Sequence, residues 1–128
     1  MVEFAFVLPL LLLTMVLMMD LGLILYSQMA VSNAAWEGAR AGATIVNPEN
    51  GDAEIKGAAL IAAYGLPTDM LEVDIDPEQD EFPRNQPYPS PRGDSITVVV
   101  VYRLRLLFPP VEIPLTGKAV TRMEYQNP

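Results

Sequence analysis

The chain opens with MVEFAFVLPLLLLTMVLMMDLGLILYSQMAVSNAAWEGARAGA, residues 1–43, and everything after it depends on how this segment is housed. As far as Ala35 the only charges are Glu3 and Asp20, and the 16 residues between them carry none. A helix needs roughly 20 apolar residues to cross a bilayer. The pattern continues through WEGARAGA, which predicts one helix of about 40 residues, ~60 Å long and about twice the hydrocarbon thickness. A plain anchor does not need that excess. The helix is either a span with a stalk or a part that packs against copies of itself. Pro9 lies near its start, where a mild kink around Ala5 and Phe6 is expected. Gly22 is a second soft point.

The rest of the chain narrows the possibilities. Hydrophobic residues make up 51% of 128 residues, and their excess sits in the first third. The remainder is an acidic domain that brings the net charge to −8, a poor match for nucleic acid. There is no Cys, so no disulfide supports the fold, and no His, which removes the commonest general base and metal ligand. No Lys or Arg precedes the apolar run, so a conventional signal peptide is not expected. The first basic residue is Arg40, too far on to orient a span by positive charge.

The later part of the helix changes character. Ala30, Ala34, Gly38 and Gly42 recur every four residues, with Ala35, Ala39 and Ala43 beside them. Small residues at this spacing allow close approach of another element. Packing on the chain's own sheet is the first expectation, with Ala34, Gly38 and Gly42 as the contact row; packing between subunits is the alternative. The division is expected near Ala30, where Ser32, Asn33, Glu37 and Arg40 begin to supply polar positions. Phe4 to Leu25 has no polar face, so every side needs an apolar neighbour.

Asn47-Pro48 and Asn50-Gly51 are turn signals, and Asp52 is expected to cap a second helix, residues 53–65. LEVDID, residues 71–76, alternates as a strand. A Pro-rich loop follows at 77–93. SITVVVVYRLRLL, residues 95–107, reads as a central strand, apolar on both faces in its first half. FPPVEIP is read as a rigid crossover, and residues 115–125 as a last strand. The fold class expected is α+β: a long hydrophobic N-terminal helix, residues 1–46, then a small domain, residues 47–128, with a short helix and a three-stranded antiparallel sheet.

Chemistry is sparse. Asp74, Asp76, Glu78, Asp80 and Glu81 offer oxygen ligands, but Pro77 intrudes and no Gly occupies the turn of a calcium loop, so a solvated strand end is the expectation. No serine has a histidine to activate it, and no Gly-rich phosphate loop is present. A non-enzyme without cofactor or metal is expected.

The first third resembles the TadE-like family of pilin-related proteins from tight-adherence secretion and pilus systems. Glu3, Phe4, Pro9, Asp20, Gly22, Asn33, Ala34, Ala35, Glu37, Gly38, Ala39 and Arg40 match the family pattern. Two positions depart from it. Leu23 stands where a basic residue often follows the Gly, which leaves Asp20 without a local partner. The acid is third, where prepilin peptidase would leave it fifth after cutting behind a Gly; processing at an unusual point or a missing residue or two is implied. The resemblance implies a type IV pilin-like subunit that waits in the inner membrane and is extracted by assembly machinery into a helical homo-oligomeric filament at the cell surface. Glu3, Phe4, Pro9, Leu13, Asp20 and Gly22 are then expected at the subunit interface. Asp20 is expected to be protonated or bonded to a donor from a neighbouring chain. The alternative is a minor pseudopilin or bitopic component that forms no fibre.

Overall fold

The computed structural model describes residues 2–45, 50–78, 80–81, 84 and 95–124. The Asn47-Pro48 turn, most of the Pro-rich loop and the end of the closing segment from Tyr125 lie outside the described residues. Helix α1 runs Val2–Ala43 without a break at Pro9. Helix α2 spans Gly51–Ala62. A 3-10 turn at Thr68–Met70 leads into strand β1, Leu71–Asp76, followed by β2, Ser95–Arg105, and β3, Glu112–Arg122. The sheet is antiparallel throughout, in the order β1-β2-β3. The α+β architecture expected from the sequence is the one observed.

The alternation of β2 sets the two faces of the sheet. Ile96, Val98, Val100, Tyr102 and Leu104 are buried, and the residues between them face outward. Together with Ile75 of β1 and Leu115 and Ala119 of β3 they form a floor on which α1 lies. α2 lies alongside α1 and adds Ile55 and Ala59 to the same core. Fully burying a side chain such as Ile55, Ile96 or Val98 is worth about 1.5–3 kcal/mol relative to leaving it exposed.

The β2–β3 hairpin lies along α1 and points back towards the helix N-terminus. Gly42 faces Ile96, Gly38 faces Val98, and Gly117 of β3 abuts the backbone of Val31 and Ser32. Gln28 Nε2 donates to the Thr116 carbonyl at 3.1 Å. At the far end, Leu107 and Phe108 meet Asp20. The lengths agree: Asp20 to Gly42 spans ~33 Å of helix, and Ile96 to Leu107 spans ~36 Å of strand. The hairpin therefore accompanies α1 down to Asp20.

Several boundaries differ from expectation. α2 begins two residues early and ends at Ala62, not Gly65. Asn50 takes the N-cap position without a side-chain bond, and Asp52 lies within the first turn. There its carboxylate complements the helix dipole and pairs with Arg84, whose Nη1 also donates to the Pro77 carbonyl at 2.8 Å. Gly65 adopts a φ of 86°, and the Tyr26 hydroxyl occupies the place where a Cβ would project. Three of the seven residues of the expected crossover are strand: Glu112, Ile113 and Pro114 pair with Arg105, Leu104 and Arg103. β3 is an edge strand, where Pro114 is tolerated because a missing N–H on the free side costs no ladder bond.

Candidate assembly and membrane-contact surface

From Glu3 to Met19 the helix touches almost nothing in its own chain. Every residue there is exposed except Val16, which is half-buried. Phe4 is 70% exposed and Phe6 78%, and the exposed set continues through Leu8, Leu10 to Leu13, Met15, Leu17, Met18 and Met19. An apolar surface of this extent on all sides is not stable in water and marks a lipid or protein contact. The helix from Glu3 to Ala43 is long and apolar enough to cross a membrane. Its one hydroxyl in the charge-free run, that of Thr14, donates to the Leu11 carbonyl at 2.8 Å and so presents no unpaired donor.

Burial begins at Asp20 and then follows one stripe: Ser27, Val31, Ala34, Ala35, Gly38, Ala39 and Gly42 are buried, with Ile24 partly so. The division of the helix thus falls at Asp20, about ten residues earlier than the side-chain sizes suggested. Large residues can still pack against the domain where only a loop tip meets them. A Cβ on Gly38 would sit 3.2 Å from both Ala59 Cβ and Val98 Cγ1, so that helix, sheet and α2 converge there. Ala34 is fully buried in the same row. Gly22, by contrast, has open space around it.

Asp20 is the one buried acid among the described residues, 4% exposed. Oδ1 accepts the N–H of Leu107 at 2.9 Å, and Oδ2 accepts the N–H of Phe108 at 3.0 Å. The donor expected from a neighbouring chain is supplied instead by the chain's own hairpin. Two backbone amides satisfy a carboxylate well. This replaces the missing basic partner at Leu23. Glu3, Phe4, Pro9 and Leu13 all lie on the exposed segment below Asp20, away from the domain.

Sequence reasoning missed Gly117. A Cβ there would lie 2.5 Å from the Val31 carbonyl oxygen and 2.8 Å from its carbon, so only glycine lets β3 approach α1 backbone to backbone. A glycine inside a strand pattern is itself the signal of such an approach. Higher on α1 a shallow groove is lined by Tyr26, Met29, Asn33, Trp36, Ala62 and Tyr64. Tyr26 closes its floor by donating to the Tyr64 carbonyl at 3.1 Å. Asp74 and Asp76 project from the outer face of β1, and no cluster of three metal-ligating side chains occurs among the described residues.

These features describe a bare apolar helix below Asp20 and a domain strapped to it above. The family model of TadE-like proteins matches residues 1–40. The similarity to TadE-like proteins covers those forty residues, less than a third of the chain. The matched segment comprises nearly all of α1 and includes Glu3, Asp20, the bare apolar run and the small-residue row as far as Gly38. No curated protein and no solved structure matches the chain. The TadE-like match implies a component associated with a Tad pilus, and the long apolar helix suggests that it is anchored in a membrane.

Proposed function

We propose that this chain is a pilin-like structural subunit: it waits in the inner membrane on α1 and is then assembled into an extracellular helical filament. The observation that carries this reading is the length Phe4–Met19, exposed on nearly every side while the chain's own hairpin stops at Asp20. Lipid covers such a segment before assembly, and several neighbouring copies of the same helix cover it afterwards. A homo-oligomer satisfies all its sides; a single small partner does not. Maturation by a prepilin peptidase and extraction by pilus machinery belong to the same reading, which gives the chain no catalytic role and no cofactor.

Glu3 has an assembly role in this account. A carboxylate within hydrocarbon costs about 2.5–3.5 kcal/mol on insertion scales, and pairing with the terminal amine of a neighbouring copy offsets that cost. The test is electron microscopy of sheared surface material, with mass spectrometry of its subunit. Fibres built of this chain support the reading. A chain that stays in the membrane fraction while fibres contain other subunits is instead a minor, non-polymerising component.

A further inference from the structure

We infer that the tip of the β2–β3 hairpin, Leu107 to Val111, is a second membrane-contacting element that inserts into the lipid surface from which α1 emerges. The inference rests on the reading of α1 as a membrane span and adds a site that the helix alone does not reveal. Its first support is composition and exposure. Leu107 is 58% exposed, Phe108 52% and Val111 46%, and Pro109 and Pro110 between them are also exposed. Five consecutive apolar residues at a hairpin tip are not covered by the domain.

The second support is the backbone. An element that enters hydrocarbon must satisfy its own N–H groups. Leu106 N–H donates to the Val111 carbonyl at 3.0 Å, and Val111 N–H donates to the Pro109 carbonyl at 2.8 Å. The N–H groups of Leu107 and Phe108 are both taken by Asp20. Pro109 and Pro110 have none. From 106 to 111 every backbone donor is thus paired or absent, an arrangement that an exposed loop in water does not require.

The third support is depth. Phe4–Met19 covers only ~24 Å as a helix, less than the ~30 Å of a hydrocarbon core. With Asp20 paired and turned inward, the exposed surface stays apolar through Leu21, Leu23 and Leu25, which extends the span to ~33 Å. Tyr26, half-exposed with its hydroxyl bonded to the Tyr64 carbonyl, then marks the interface. The tip meets α1 at Asp20, five residues below Leu25, which places it ~7 Å beneath that boundary. Interfacial elements reach about this depth. Arg103 and Arg105 follow on the outer face, but Arg103 lines one shallow pocket together with Glu72 and Glu112, and Arg105 is opposite Glu112 in the ladder. The contact is therefore apolar and does not need anionic lipid.

The test uses the full chain in phosphatidylcholine vesicles whose acyl chains carry bromine at shallow or deep positions, with native Trp36 replaced by Phe. Single reporters are placed by Phe108→Trp, Leu13→Trp in the span and Ile61→Trp on exposed α2. The Phe108→Trp reporter is expected to shift to the blue, lose emission to shallow bromines and resist aqueous iodide, while the Ile61→Trp reporter is quenched by iodide. Adding Asp20→Ala, which frees two N–H groups, should move the Phe108→Trp reporter back towards water. If the Leu13→Trp reporter is quenched by lipid while the Phe108→Trp reporter is quenched by iodide as fully as the Ile61→Trp one, the hairpin inference is overturned and the span stands. If the Leu13→Trp reporter is itself open to iodide, the span reading fails and the inference falls with it.

Discussion

Asp20 Oδ1 accepts the backbone N–H of Leu107 at 2.9 Å, a bond between residues 87 apart in the chain. It fastens the tip of the β2–β3 hairpin to the point on α1 where the bare segment ends. Asp20→Ala removes the acceptor of both tip amides. Leaving a partly buried donor unpaired costs about 1–3 kcal/mol, and Asp20→Asn, which keeps one acceptor oxygen, should cost less. Hydrogen exchange of the full chain in detergent micelles should show faster exchange at Leu107 and Phe108 in the order Asn, then Ala. Unchanged protection in the Ala variant would mean that the strap does not hold the tip.

Two glycine substitutions should move stability in opposite directions. Gly117→Ala drives a Cβ into the Val31 carbonyl, and overpacking of this kind costs about 1–3 kcal/mol. Gly57→Ala, in the interior of α2 with nothing within 4 Å of the new Cβ, should stabilise by about 0.5–1 kcal/mol. Thermal melting of the full chain in micelles, followed by circular dichroism, reads both. An unaffected Gly117→Ala would show that the approach of β3 to α1 is described wrongly, and a destabilised Gly57→Ala that the surroundings of α2 are.

Much of the fold is legible in the sequence because its causes are local. The charge-free run between Glu3 and Asp20 dictates a helix that cannot stand in water. The run SITVVVVYRLR dictates a strand, although its first half reads as apolar on both faces and the structure fully buries only one, and the every-fourth small residues Ala34, Gly38 and Gly42 announce a close partner. What stays hidden depends on distant pairs. No pattern around Asp20 points to Leu107 and Phe108, so the acid looks stranded and another chain is called on to rescue it. Pro114 argues against a strand until β3 is known to be an edge. Asp52 has the composition of a cap, but Arg84, 32 residues on, gives it a different partner.

Leu13→Arg places a charge near the middle of the bare segment, at about 2.5–3.5 kcal/mol on insertion scales. Leu13 is exposed and lies seven residues below Asp20, the first buried position, so the domain should be untouched. Membrane fractionation should show the variant lost from the bilayer or absent from fibres, with hydrogen-exchange protection of β2 preserved. Loss of β2 protection would mean that the two halves of α1 are not independent.

Glu3→Ala removes a carboxylate that touches nothing in its own domain. Insertion should be intact or slightly improved, and sheared fibres should be lost or slow to appear. Fibres at the normal rate and yield would remove the assembly role assigned to Glu3.

In the proposed filament, Phe4–Met19 of one copy is covered by the same segment of other copies. The chain has no Cys, so a single Leu12→Cys substitution places one thiol on that segment. Sheared surface fibres of this variant, treated with a short bismaleimide, should give covalent dimers, whereas an Ile61→Cys thiol on the outward face of α2 should give none. Fibres that contain the Leu12→Cys subunit but yield only monomers would contradict the account.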